Sequence, residues 1–110
     1  MTDKIVVLST CSTPKEAERI ARELVEKRLA ACVNIVPGLR SVYRWKGAIE
    51  EAAEVLLVIK SSRVLFNELR IEIEKLHSYE VPEVIATSIV DGSEGYLEWL
   101  HRELAPKAES

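Results

Sequence analysis

The chain is predicted to be α+β: a ferredoxin-like βαββαβ sandwich with a long β-hairpin and an extra C-terminal helix. Three observations carry this prediction. Two long segments place apolar residues at helical spacing, and four others are alternating or continuously apolar in the manner of strands. Along the chain they follow the order β-α-β-β-α-β, then a third helical segment. The length of 110 residues suits one domain, taken as 1–110. A chain that is 47% hydrophobic and 30% charged, with net charge −3, is neither disordered nor membrane-embedded. It lacks the basic surplus of a phosphate-binding surface, so no nucleic-acid partner is expected.

Each element has its own justification. Ile5-Val6-Val7-Leu8 is a short β-branched run and reads as a buried strand. Thr13-Pro14-Lys15-Glu16 reads as a capping box with proline at its tolerated first helical position. Ala17, Ile20, Ala21, Leu24 and Val25 form the apolar stripe of a helix predicted to reach about Leu29. Strand character returns over 31–36. Pro37-Gly38 then reads as a bulge or kink inside a strand that resumes with Leu39, Ser41, Tyr43 and Trp45 on one face. Lys46-Gly47 is the hairpin turn, and the return arm covers 49–60.

Ser61 or Ser62 is positioned to cap a second helix striped by Leu65, Leu69, Ile73 and Leu76. A last strand is expected over 84–90, with Pro82 near its start. Ser93 is expected to cap a short third helix that ends before Pro106. Both crossover helices should lie on one face of the sheet.

The hairpin predicts assembly. A compact chain of this size has a radius of gyration of about 13 Å. Residues 31–45, if unbroken, would span roughly 50 Å. The protruding part carries Tyr43, Trp45 and Ile49, an edge that a second copy would cover.

Three stretches carry a family resemblance: Ala31-Cys32-Val33-Asn34; Ser41-Val42-Tyr43-Arg44-Trp45-Lys46-Gly47; and His77-Ser78-Tyr79-Glu80-Val81-Pro82-Glu83. Together they resemble the signature segments of the CutA divalent-cation tolerance family. The resemblance implies a ferredoxin-like subunit, a homotrimer bridged by its hairpins, and a role in tolerance of divalent metal ions such as copper. It also implies an architecture like that of the trimeric P-II signalling proteins, which bind small effectors between subunits. Copper-binding bacterial members use a cysteine late in the first strand and two adjacent histidines after the second helix. Here those positions are Ser9, with Cys11 two residues on, and Leu76-His77, so the copper set does not carry over intact. Ser78 stands where the family usually has proline.

Two cysteines, two histidines and one methionine leave room for one soft copper- or zinc-type site. Its candidates are Cys11, Cys32 and His77. Of the two, Cys11, close to a helix N-terminus, is the better placed for reactivity, although an inert loop cysteine is its preferred reading; Cys32 reads first as a small buried hydrophobe. His77 ends a helix, where a structural role competes with ligation, and His101 reads as a solvated residue of the last helix. A looser carboxylate site for divalent ions is the alternative to the soft one. Tyr79, Glu80 and Glu83, with Lys60 and Trp45, read either as a subunit seam or as a small-ligand cleft.

No phosphate loop, nucleophile elbow or metalloprotease helix motif occurs, so no enzyme is expected. With neither a secretory nor a membrane-spanning apolar run, the expected compartment is the cytoplasm.

Overall fold

The computed structural model describes residues 2–106. Met1 and residues 107–110, the ends of the expected 1–110 domain, lie outside the described residues. The elements are β1 (Lys4–Cys11), α1 (Pro14–Glu26), β2 (Cys32–Trp45), β3 (Ala48–Ser62), a 3-10 turn (Arg63–Leu65), α2 (Phe66–Leu76), β4 (Ile85–Ser88) and α3 (Glu94–Glu103). The four strands form one antiparallel sheet in the order β2-β3-β1-β4. This is the α+β, ferredoxin-like arrangement that the element order predicts.

Alternation along the strands divides the sheet into two faces. Ile5, Val7 and Cys11 of β1 and Val55, Leu57 and Ile59 of β3 point to one face. There they form a single buried core with Ile20 and Leu24 of α1 and Leu69 and Ile73 of α2. Both crossover helices therefore cover this face. Lys4 and Cys32 belong to the opposite face, since their β3 partners, Ser62 and Lys60, alternate with Ile59 and Ser61. α3 rests at that end of the opposite face. Its His101 Nδ1 lies 3.1 Å from Lys4 Nζ, and its Leu100 is fully buried. No described helix is long and apolar enough to cross a membrane.

Several boundaries differ from expectation, each for a local reason. α1 stops at Glu26, short of Leu29, because the chain closes a Schellman turn. Leu29 N–H donates to the Leu24 carbonyl (2.9 Å) and Arg28 N–H to that of Val25 (3.0 Å). The left-handed position of that turn is held by Arg28 at φ 59°, so no glycine marks the end. Val25, expected in the stripe, is exposed.

The capping box is half-made. Thr13 Oγ1 accepts the Glu16 N–H (3.1 Å), but the buried Glu16 carboxylate accepts from Ser12 and Ser78 in place of the Thr13 N–H. Neither Ser61 nor Ser62 caps α2, because β3 runs through both; Ser61 Oγ instead donates to the Leu29 carbonyl (2.7 Å). Ser93 precedes α3 without a side-chain cap bond. β4 is shorter than the predicted 84–90: it pairs with β1 from Ile85 opposite Leu8 to Ser88 opposite Ile5, close to the start of β1. His101 is not merely solvated. It and Asp3 flank the buried ammonium of Lys4, and the hydrogen bond from Lys4 holds the Asp3 carboxyl below its usual value.

The hairpin protrudes as expected. β1 ends at Cys11 opposite Val55, so residues 48–54 of β3 pair only with 39–45 of β2. The described chain measures 44 × 27 × 24 Å, with a radius of gyration of 14.7 Å against about 13 Å for a compact chain of this length. At the tip, Lys46 (φ 49°) and Gly47 (φ 82°) are both left-handed, the signature of a type I′ turn.

Arg28 offers a direct test of the Schellman turn. Arg28→Gly relieves the left-handed strain and is expected to stabilise the protein by about 1 kcal/mol, seen as a rise in melting temperature.

Candidate functional site

The site forms where β1 stops. Glu54, one residue beyond the last β1–β3 pair, has no β1 neighbour, and the segment leaving α2 passes beside it. Four contacts fix that segment. Glu16 Oε2 accepts the Ser78 N–H (2.8 Å), and Arg19 Nη2 donates to the Leu76 carbonyl (2.8 Å). His77 Nε2 meets the Thr10 carbonyl at 2.7 Å, and His77 Nδ1 meets the Tyr79 N–H at 3.0 Å. A carbonyl only accepts and an amide N–H only donates. His77 is therefore the Nε2–H tautomer, with both ring nitrogens engaged. Its ring packs 4.7 Å from that of Tyr79.

Tyr79 completes the construction. Its hydroxyl donates to Glu54 Oε2 at 2.6 Å. Burial, then this hydrogen bond and the Glu54 charge, push the phenol well above its usual range, so it stays a donor. Burial pushes the Glu16 carboxyl up, but hydrogen bonds from Ser78 and Ser12, with His77 nearby, outweigh it and hold the group below the usual carboxylate range.

The result is a cleft of about 700 Å³ on the side of the sheet opposite α1 and α2. Tyr43, Trp45 and Tyr79 supply aromatic walls, Glu54, Glu80 and Glu83 carboxylates, and Thr10, Ser41 and Ser78 hydroxyls. Of the residues expected here, Trp45, Tyr79, Glu80 and Glu83 are present. Lys60 is not: it pairs with Cys32 across β2–β3 and donates to Asn34 Oδ1, six residues up β3 from Glu54, or roughly 20 Å.

The proposed soft metal set does not come together within one chain. Cys11 and Cys32 sit on opposite faces, opposite Val55 and Lys60 of β3, so roughly 17 Å separates them along the strand direction alone. Cys11 is fully buried, with Sγ against the carbonyls of Thr13 (3.8 Å) and Val55 (3.9 Å). Burial, with Glu16 and Glu54 nearby, pushes its thiol up to about 11. Cys11 is thus inert, in line with the preferred reading of it, because burial and two carboxylates override the adjacent helix N-terminus. His77 has no nitrogen to spare. Ser9 faces the helix layer with its hydroxyl buried and unpartnered among the described residues. No group of three or more His, Cys, Asp or Glu is placed to hold a metal ion among the described residues.

Glu54, Thr10 and Ser41 were not singled out from sequence. The usable signal for Glu54 was a lone acid at the mouth of the continuous apolar run 55–59, in phase with Leu56 and Val58. Glu16 was legible only as a cap.

A pH test follows from Glu16. Its folded value lies below the ordinary 4.5, so its contribution is complete above about pH 4.5 and is lost as pH falls through the folded value. Glu16→Gln should cost about 1–2 kcal/mol at pH 7. It should also flatten the loss of stability of the wild type below pH 4.5 in denaturant titrations.

Comparison with known proteins agrees with this architecture. Residues 5–103 match the family described as CutA1 divalent ion tolerance protein. A divalent-cation tolerance protein CutA from Thermus thermophilus is 50% identical over 95 residues, 86% of this chain and 92% of that protein. The mouse Protein CutA is 50% identical over 93 residues, 84% of this chain; the chain spans about half of that relative, 52% of its length. The crystal structure of CutA1 from Oryza sativa superposes with a TM-score of 0.93 at 42% identity, covering 94% of this chain and 95% of that one. The chain belongs to the CutA1 divalent ion tolerance family.

Proposed function

We propose that the chain assembles as a homotrimer that serves divalent-cation tolerance by binding rather than by catalysis. One observation supports assembly above the rest: the ribbon of residues 39–45 and 48–54 stands free of the other strands. A lone two-stranded ribbon is marginal in water. This one exposes apolar side chains on both faces, Val42 and Ile49 on one and Tyr43 and Trp45 on the other. Neighbouring copies laid against it would bury both faces and supply the missing strand partners.

A non-catalytic role fits the chemistry of the candidate groups. The Cys11 thiol is buried and protonated, and His77 is committed to two backbone partners. The soft copper set of Cys11, Cys32 and His77 does not fit a metal within one chain. Divalent ions, copper included, are then cargo held loosely by carboxylates such as Glu80 and Glu83, which hard-donor chemistry makes weak and unselective. The two free cysteines suit a reducing compartment, in keeping with a cytoplasmic location.

The cleft beside the hairpin favours a second reading: a sensor of the P-II kind that takes a small molecule there.

Sedimentation tests assembly. The wild type should run at about 37 kDa, three times the 12.4 kDa chain. Ile49→Asp, which puts a charge on the ribbon outside the cleft, should shift it toward smaller species. A monomeric wild type would sink the proposal. Copper binding measured by equilibrium dialysis should be unchanged in Cys11→Ser, Cys32→Ser and His77→Ala proteins that remain folded. Loss in any of them would restore a soft site shared between subunits.

A further inference from the structure

We propose that Lys4 and His101 form a pH-sensitive latch that holds α3 on the sheet at neutral pH and releases it on mild acidification.

The latch is built on a buried cation. Lys4 opens β1, and its side chain is only 5% exposed. Its ammonium donates to Asp3 Oδ1 at 2.8 Å and meets His101 Nδ1, 97 residues away in the chain, at 3.1 Å. A charge this deep depends on its hydrogen-bond partners. Both contacts lie within one chain, and assembly can only deepen the burial of Lys4.

Those contacts fix the state of the ring. An ammonium donates and never accepts. His101 Nδ1 is therefore the acceptor, and the imidazole is neutral with its proton on Nε2. An imidazolium carries N–H on both nitrogens. Protonation at Nδ1 would set donor against donor and cation against cation. Histidine is the side chain that ordinarily gains this proton between about pH 5 and 8.

The surrounding charges do not offset this. Asp3 of β1, Glu94, Glu98 and Arg102 around α3, and Arg28 of the turn after α1 stand about His101 with Lys4. Anions and cations balance in that set. The last turn of α3 favours a cation weakly, but among the described residues only Lys4 is hydrogen-bonded to the ring. Asp3 does not titrate in the same range, since the hydrogen bond from Lys4 holds its carboxyl below its ordinary value. The latch is closed above the imidazole range and opens as pH falls through it.

The remaining polar ties of α3 sit at its C-terminal end. Arg28 Nη1 donates to the Arg102 carbonyl (3.4 Å), and the Ala105 N–H donates to the Arg28 carbonyl (2.9 Å). Ser93 makes no side-chain cap bond at the start of the helix. Opening the latch therefore loosens α3 while the chain after it stays attached.

Hydrogen exchange on the native assembly tests the latch. Protection of the α3 amides, corrected for intrinsic exchange at each pH, is compared between about pH 7.5 and about pH 5.5, with α1 as internal reference. In the wild type α3 should lose about tenfold in protection while α1 keeps its own. His101→Asn, whose Oδ1 takes the place of Nδ1 and stays neutral, should show no such loss. If that variant does not fold, Lys4→Met, which removes the opposing cation, takes its place with the same expectation. A wild-type α3 equally protected at both pH values overturns the proposal. So does the same loss in the folded variant, which would assign the effect to another group. A parallel loss in α1 also overturns it, since it would mark a change of the whole fold.

Discussion

One extra residue in β2 sets the geometry on which the site depends. Val36 pairs with Leu56 and Leu39 with Glu54, so β2 advances three residues while β3 advances two. Gly38, at φ 82°, supplies the left-handed backbone for this bulge. Side chains alternate with a period of two, so a single inserted residue exchanges the faces of everything beyond it. Without the bulge, Arg40, Val42 and Arg44 would share the face of Glu54. With it, Ser41, Tyr43 and Trp45 do. An aromatic, carboxylate-lined cleft replaces a row with two arginines.

The second constraint is the early end of β1. Because β1 stops opposite Val55, the ribbon beyond is covered by no strand of its own chain, and Glu54 is left at the boundary between core and arm. The exit of α2 fills part of that gap. Its course is set from the helix layer, by Glu16 and Arg19 of α1, and from the sheet, by the Thr10 carbonyl. His77 links these supports. With one nitrogen donating to Thr10 and the other accepting from Tyr79, it places the phenol that orients Glu54. A residue with the appearance of a metal ligand thus works as a structural hinge pin, and removing it would disturb the cleft without touching a ligand.

Much of this was legible from sequence. Element order, the Pro37-Gly38 interruption, the Lys46-Gly47 turn and the shared face of Ser41, Tyr43 and Trp45 all follow from periodicity and turn chemistry. Four of the five expected cleft or interface residues line the cleft. Helix ends were less legible where the signal residue was absent: the Schellman turn after α1 uses Arg28 in place of glycine. The serines before α2 looked like caps because nothing local shows that β3 continues through them.

The sequence by itself determined the alternation of β2 and β3, the amphipathic stripes of α1 and α2, and hence a two-layer ferredoxin-like fold with a hairpin arm that runs past the rest of the sheet. These are local properties, set by spacing along the chain. Tertiary structure alone decided which side chains meet. It put Cys11 and Cys32 on opposite faces, carried Lys60 away from Tyr79, and brought Glu54 under that tyrosine from 25 residues away. It also decided between the two readings of Cys11, because desolvation and neighbouring charge depend on what packs around a thiol and not on the residues beside it in the chain.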